Sequence, residues 1–227
     1  VLNNINLTIE AGQTVAFLGA TGCGKSTLVN LIPRFYDVTA GRITLDGKDI
    51  REIPLETLRQ VVCIALQESV LFSGTVRDNL AYGQPDATEE ELAAAAIAAD
   101  ADGFIRAIPE GYDAIVKRRG SNFSGGQRQR LSIGRAIAVQ PQVLILDDST
   151  SALDMATEAR VQEAIKSMMA KTTTLFVAQR ISTVIMADQI FLMDQGEIIA
   201  RGNHDELLRI SPLYQEIYES QLGGVAA

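Results

Sequence analysis

Apolar positions along this chain fall into two patterns, short unbroken runs of strand length and longer stretches with helical spacing. Residues 14–18 and 143–146 are runs of the first kind and predict strands, and residues 173–177 and 189–193, mostly apolar, predict two more. Residues 61–66 form another, continuous enough to predict a strand covered on both faces. Residues 5–9 alternate apolar with polar, which predicts a half-buried strand turning at Ala11-Gly12, and residues 41–47 predict one more short strand bounded by glycines. Helical spacing marks residues 28–32, most of 75–138, the regions near 156–169 and 182–187, and 213–218. Thr88-Glu89-Glu90-Glu91 reads as a capping box with an acidic first turn, ahead of an alanine-rich helix. Strands alternating with helices, interrupted by a helical stretch, predict an α/β core with a helical insertion. The sequence shows no internal repeat and no low-complexity linker.

The junction between the first predicted core strand and its helix carries the most specific chemistry. Residues 19–27 read Gly19, Ala20, Thr21, Gly22, Cys23, Gly24, Lys25, Ser26, Thr27 and match the phosphate-loop pattern G-x-x-x-x-G-K-[ST]. Glycines let backbone N–H groups close around phosphate oxygens, and the following helix start adds partial positive charge. In this pattern Lys25 reaches the β- and γ-phosphates and the Ser26 hydroxyl ligates Mg²⁺, so the chain is expected to bind a nucleoside triphosphate. A second constellation lies at the end of the run 143–146, where Asp147 and Asp148 follow in succession. Asp147 is placed to help hold Mg²⁺, and the next position is where a general base for the attacking water would stand. A third is Ser124-Gly125-Gly126-Gln127, a good N-cap followed by open backbone N–H groups, which makes another anion site at a helix start.

Bulk properties narrow the class. Hydrophobic residues make up 47% of the 227, and no apolar stretch approaches the length of a membrane helix. The net charge of −8 and the lack of a basic stripe argue against nucleic acid as a partner. The two cysteines, Cys23 and Cys63, suit a reducing compartment rather than a disulfide framework. Cys23 sits inside the electropositive loop, where a thiol is expected to be reactive and protected by bound nucleotide.

Together these residues closely resemble the nucleotide-binding domain of the ATP-binding cassette (ABC) family, over nearly the whole chain. The resemblance rests on residues 19–27, Gln67, 123–127, 143–148 and Ser151-Ala152-Leu153-Asp154, in the family's order. Residues 71–80, Gly111-Tyr112-Asp113 and the ending 213–222 are similar to the exporter branch in particular. The resemblance implies a RecA-like phosphate-loop NTPase core with flanking helices, a small antiparallel β subdomain and a helical signature subdomain inserted at about 68–138. One domain would span 1–227. It implies ATP and Mg²⁺ as cofactors, with Ser26, Gln67 and Asp147 on the metal. In this family two such domains face head to tail. Ser124, Gly125, Gly126 and Gln127, with Asp154, would then serve the ATP held on the partner's phosphate loop. Gln67 would relay the nucleotide state to the transmembrane domains, at the cytoplasmic face of the membrane.

Several positions depart from the family's pattern. Asp148 replaces the usual glutamate, withdrawing the carboxylate by about 1 Å, and a misplacement of that size can cost on the order of 10²-fold in rate. Gln179 stands in Ala178-Gln179-Arg180 where the family reads Ala-His-Arg. An amide can hydrogen-bond the γ-phosphate but cannot shuttle a proton. The one histidine, His204, is expected to be a helix-start residue with a local hydrogen bond. Arg118 occupies a position where exporters carry glutamate, and Phe123 replaces leucine. The pair Asp148 and Gln179 implies a hydrolysis-impaired, degenerate site, as in one half of a heterodimeric exporter. The adenine-stacking aromatic residue that the family carries before the first strand is absent from Val1 to Glu10, so that residue and the transmembrane domain are expected further upstream. Two other readings are open: a regulatory ATP-binding module, and a soluble ABC ATPase acting on nucleic acid or the ribosome. The acidic balance, the single cassette and residues 71–80 favour the exporter.

Overall fold

The computed structural model describes residues 2–222; Val1 and residues 223–227, the ends of the expected 1–227 span, lie outside the described residues. In chain order the elements begin with β1 (Thr14–Leu18), α1 (Lys25–Leu31), β2 (Thr44–Leu45), β3 (Lys48–Asp49) and α2 (Leu55–Val61). There follow β4 (Val62–Ala65), β5 (Gly74–Thr75), α3 (Val76–Leu80), α4 (Glu89–Ala98) and α5 (Asp102–Arg106). Next are β6 (Ile115–Val116), α6 (Gly125–Ala138), β7 (Val143–Asp147) and α7 (Met155–Met168). The chain ends with β8 (Thr173–Ala178), α8 (Ile181–Val184), β9 (Gln189–Asp194), β10 (Glu197–Gly202), α9 (His204–Ile210) and α10 (Pro212–Leu222). These elements form two compact units, Val1–Leu58 with Thr173–Ala227, and Arg59–Thr172.

In the first unit β1 lies between β8 and β9, parallel to both, and β10 runs antiparallel to β9. Parallel strands with both faces covered should be mostly apolar, and burial lapses only at strand ends: Thr14 in β1, Thr173 in β8, and Gln189 and Asp194 in β9. Phe17 and Phe191 stack across the β1–β9 pair with ring centroids 5.4 Å apart. β2 and β3 form a small antiparallel hairpin whose Asp46-Gly47 turn has φ of 49° and 80°, the left-handed pair that two-residue hairpins favour.

In the second unit β4 and β7 pair in parallel, Val62 opposite Val143 through Ala65 opposite Leu146. α6 packs against α3 and α4, burying Leu131, Ile133, Ala136 and Ile137. A polar knot supports this layer. Asn79, 1% exposed, accepts from Phe72 N–H at 2.9 Å and from Arg135 at 2.8 Å, and donates to the carbonyls of Phe72 and Thr75. The Arg135 guanidinium also lies over the stacked rings of Phe72 and Tyr82. Thr75 and Thr88 cap α3 and α4 with reciprocal capping boxes, the latter as the sequence predicts.

Parallel strands covered by helices, with small antiparallel pairs beside them, make this an α/β fold of the RecA-like phosphate-loop class. Four local expectations need correction. Residues 5–9 alternate half-buried with exposed but form no strand, because no strand among the described residues pairs with their backbone. The strand expected at 61–66 begins only at Val62, since Val61 ends α2, and its centre, Cys63 and Ile64, is half-buried rather than covered on both faces. Residues 41–47 keep only Thr44–Leu45 as strand. The helix expected at 182–187 is the single turn Ile181–Val184.

Candidate functional site

In the first unit the loop 19–24 joins the buried end of β1 to α1. Gly24 caps α1 at φ 108°, a left-handed conformation in which any side chain would be strained, and no side chain caps the helix start. A methyl on Gly19 would land on the Met193 carbonyl oxygen and the Cys23 sulfur, so β9 and the loop approach here as only glycine permits. Lys25 is 6% exposed. Its ammonium folds under the loop and donates to the carbonyls of Gly19 at 2.7 Å and Ala20 at 2.8 Å, with the Cys23 sulfur at 3.7 Å. These partners are neutral, so a buried cation lies beneath a crest whose Ala20, Thr21 and Gly22 are exposed. Uncapped N–H groups at a helix start above a buried ammonium fit a polyphosphate. Gln179, immediately after β8, reaches the same loop: Thr21 Oγ1 donates to Gln179 Oε1 at 3.0 Å.

The second unit carries the acids and the serine-glycine segment. β7 is buried along its whole length and delivers Asp147 at 3% exposure. Asp148 then takes a left-handed φ of 48°, and its Oδ2 accepts from Gln67 Nε2 at 3.0 Å. Ser124 caps α6 through a reciprocal capping box with Gln127, at 3.2 Å and 2.9 Å. Gly125 and Gly126 form the first turn, against Ala152. Gln129, 5% exposed, binds Ser151 Oγ at 3.2 Å and the Ala152 N–H at 2.8 Å, tying α6 to the segment after Asp148. Asp154 caps α7, accepting from the Thr157 N–H at 2.9 Å and hydroxyl at 2.8 Å, which holds its carboxyl below the usual range. Gln67, Gly125 and Ala152 border one cleft of about 470 Å³.

Similarity to known proteins follows this geometry. The profile of the family described as ABC transporter matches residues 2–151. This chain belongs to the ABC transporter family. It is 50% identical over 221 residues to an ATP-dependent lipid A-core flippase of Syntrophus aciditrophicus (strain SB), covering 97% of this chain and 37% of that protein. A bacterial Atm1-family ABC exporter solved with ATP bound superimposes on all of the chain, with a TM-score of 0.94, 39% identity and 40% of its own length covered. The chain therefore spans well under half of these relatives. It is an ABC nucleotide-binding domain homologous to those of exporters and flippases.

Other features of the ABC domain differ in emphasis from what the sequence suggests. Among the described residues no three His, Cys, Asp or Glu converge as a metal cage. A Mg²⁺ held by one carboxylate, a hydroxyl and substrate phosphates needs none. Cys23 and Cys63 are both free thiols, and Cys23 is buried beneath the loop. His204 begins α9, but its Nδ1 lies 2.8 Å from the buried Tyr214 Oη on α10, not on a local group. Arg130 pairs with Asp100 and lies over the Phe104 ring at 4.7 Å. Gln129 escaped sequence reading, although a glutamine followed by Leu131 and Ile133 on a capped helix was the available signal. No helix among the described residues is long and apolar enough to cross a membrane.

Proposed function

We propose that this ABC domain binds Mg·ATP on residues 19–27 and powers export across a membrane together with a second nucleotide-binding domain. The buried Lys25 ammonium beneath an exposed glycine loop supports the binding half of this reading. Ser26, Gln67 and Asp147 would hold Mg²⁺, which supplies charge neutralisation at the β- and γ-phosphates when bound. Ser124, Gly125, Gly126 and Gln127, with Asp154, would complete the site on the partner's ATP. The flippase and exporter relatives support transmembrane domains as the coupled machinery, at the cytoplasmic face of the inner membrane. In this reading 1–227 is one nucleotide-binding domain whose helical part, about 68–138, carries the signature.

The chain's own site is proposed to be hydrolysis-impaired and its partner a non-identical half-transporter. The observation that carries this is the Asp148 carboxylate, one methylene short of glutamate and turned onto Gln67 at 3.0 Å. Gln179 reinforces it, because an amide bound to Thr21 can orient a phosphate but not move a proton. ATP then stays bound here while turnover occurs opposite. The test is Asp148→Glu with Gln179→His in the assembled transporter, the partner's site being blocked by mutation. Turnover is expected to rise by about 10- to 100-fold. No rise would sink the impaired-site reading while leaving nucleotide binding intact.

A further inference from the structure

The backbone that carries Gln179 is held from the far end of the chain. Arg180 is extended, φ −99° and ψ 135°, and serves as the N-cap of α8 without a side-chain cap bond. In an extended residue the carbonyl before it and the N–H after it point to the same side. Both are taken by one side chain. Gln221, in the last turn of α10, donates from Nε2 to the Gln179 carbonyl at 2.9 Å and accepts at Oε1 from the Ile181 N–H at 2.8 Å. A carboxamide offers a donor and an acceptor side by side, so it docks here as a neighbouring strand's peptide would. The two bonds fix both peptide planes that flank Arg180.

The aim of Gln221 is itself determined. Tyr214, fully buried and bonded to His204 at 2.8 Å, anchors α10. Gln221 lies seven residues on, which returns it to the same helix face. A continuous hydrogen-bonded path therefore runs from Thr21 in the phosphate loop, through the Gln179 side chain and carbonyl, to Gln221.

We infer that Gln221 is a positioning residue for the nucleotide site, holding Gln179 in place to meet the terminal phosphate of a nucleoside triphosphate. This rests on the proposed role of Gln179 as that contact. Gln221 acts through Gln179 and distinguishes triphosphate from diphosphate; it adds nothing to the binding of the phosphates common to both.

The test is equilibrium binding of ATP and of ADP to the full-length protein, for Gln221→Ala, Gln221→Glu, Gln179→Ala and the Gln179→Ala/Gln221→Ala pair. Gln221→Glu keeps the acceptor for Ile181 but sets a carboxylate oxygen against the Gln179 carbonyl, so it separates the support of α8 from the tether on Gln179. Both Gln221 variants are expected to reduce the preference for ATP over ADP by about three- to tenfold, the worth of a hydrogen bond, with ADP affinity within about twofold of the parent. In the Gln179→Ala background the Gln221 substitution should have no further effect. Equal loss for both nucleotides, or an effect that persists in that background, would overturn the inference. An unchanged preference in Gln179→Ala alone would instead overturn the reading of Gln179 beneath it.

Discussion

Gln67 and Asp148 meet because each stands two residues beyond the same rung of a parallel ladder. Ala65 lies opposite Leu146, and past that pair Gln67 Nε2 donates to Asp148 Oδ2 at 3.0 Å. The short carboxylate thus has a partner within its own chain, set by strand register and not by any bound molecule.

Asp148 also has an unusual backbone, with φ of 48°. Aspartate and asparagine tolerate this left-handed region far better than β-branched residues do. Asp148→Asn is therefore expected to keep stability within about 0.5 kcal/mol, and Asp148→Val to lose about 1–2 kcal/mol. Urea denaturation followed by circular dichroism checks both. Equal stability of the two variants would mean that the strain is relieved by a local shift.

The two thiols should label very differently. Burial pushes the Cys63 thiol up to about 11, so at pH 8 only about 10⁻³ of it is thiolate, against about a quarter for an unperturbed cysteine. Its alkylation should be slow and rise about tenfold per pH unit to pH 10. Cys23 lies under the loop, with Lys25 Nζ at 3.7 Å from its sulfur, and its labelling requires the loop to open. Mg·ATP should slow that opening. Intact-mass kinetics with and without nucleotide read both rates, and a Cys23 rate indifferent to Mg·ATP contradicts the proposed binding site.

Asp100 should govern part of the acid limb of stability. Its hydrogen bonds to Arg160 foremost, and then the nearby Arg130, hold its carboxyl below the usual range, although partial burial opposes them. A lowered folded pKa means that the stabilisation is present above the unfolded value of about 3.9 and disappears as pH falls through the folded value. Asp100→Asn removes the charge while keeping a residue that suits the φ of 53° found there. The variant is expected to be less stable at pH 7 and to lose less on going from pH 5 to pH 2. Thermal melts across that range show whether the two curves converge in acid.

Much of this molecule is legible in its sequence, for a physical reason. Strands buried on both faces, such as β1, β7 and β9, must be apolar along their middle, and the phosphate loop needs glycine where its backbone is left-handed or crowded, as at Gly24 and Gly19. Capping chemistry is equally local, which is why Ser124 and Thr88 can be placed before the fold is known. β10 is harder to see. It is an antiparallel edge strand with one wet face, and the Ile198-Ile199 step breaks its alternation near an irregular register with β9. Residues 5–9 show the converse: alternation reports two unlike faces but cannot report the absence of a partner strand. Least legible are pairs joined only by folding. Nothing in the letters connects Gln221 to Gln179, Gln129 to Ala152, or Gln67 to Asp148, since each bond depends on where two distant elements come to rest.

The capping box at the start of α6 bears on how easily the proposed dimer would come apart. Ser124 Oγ already accepts from the Gln127 N–H, and Gln127 Oε1 from the Ser124 N–H, so these two N–H groups are paired while the helix start stands alone. Engaging another chain's phosphate there would exchange one set of hydrogen bonds for another, with little net gain from those groups. In the proposed head-to-tail pair, these two groups would leave no strong bond to break on release.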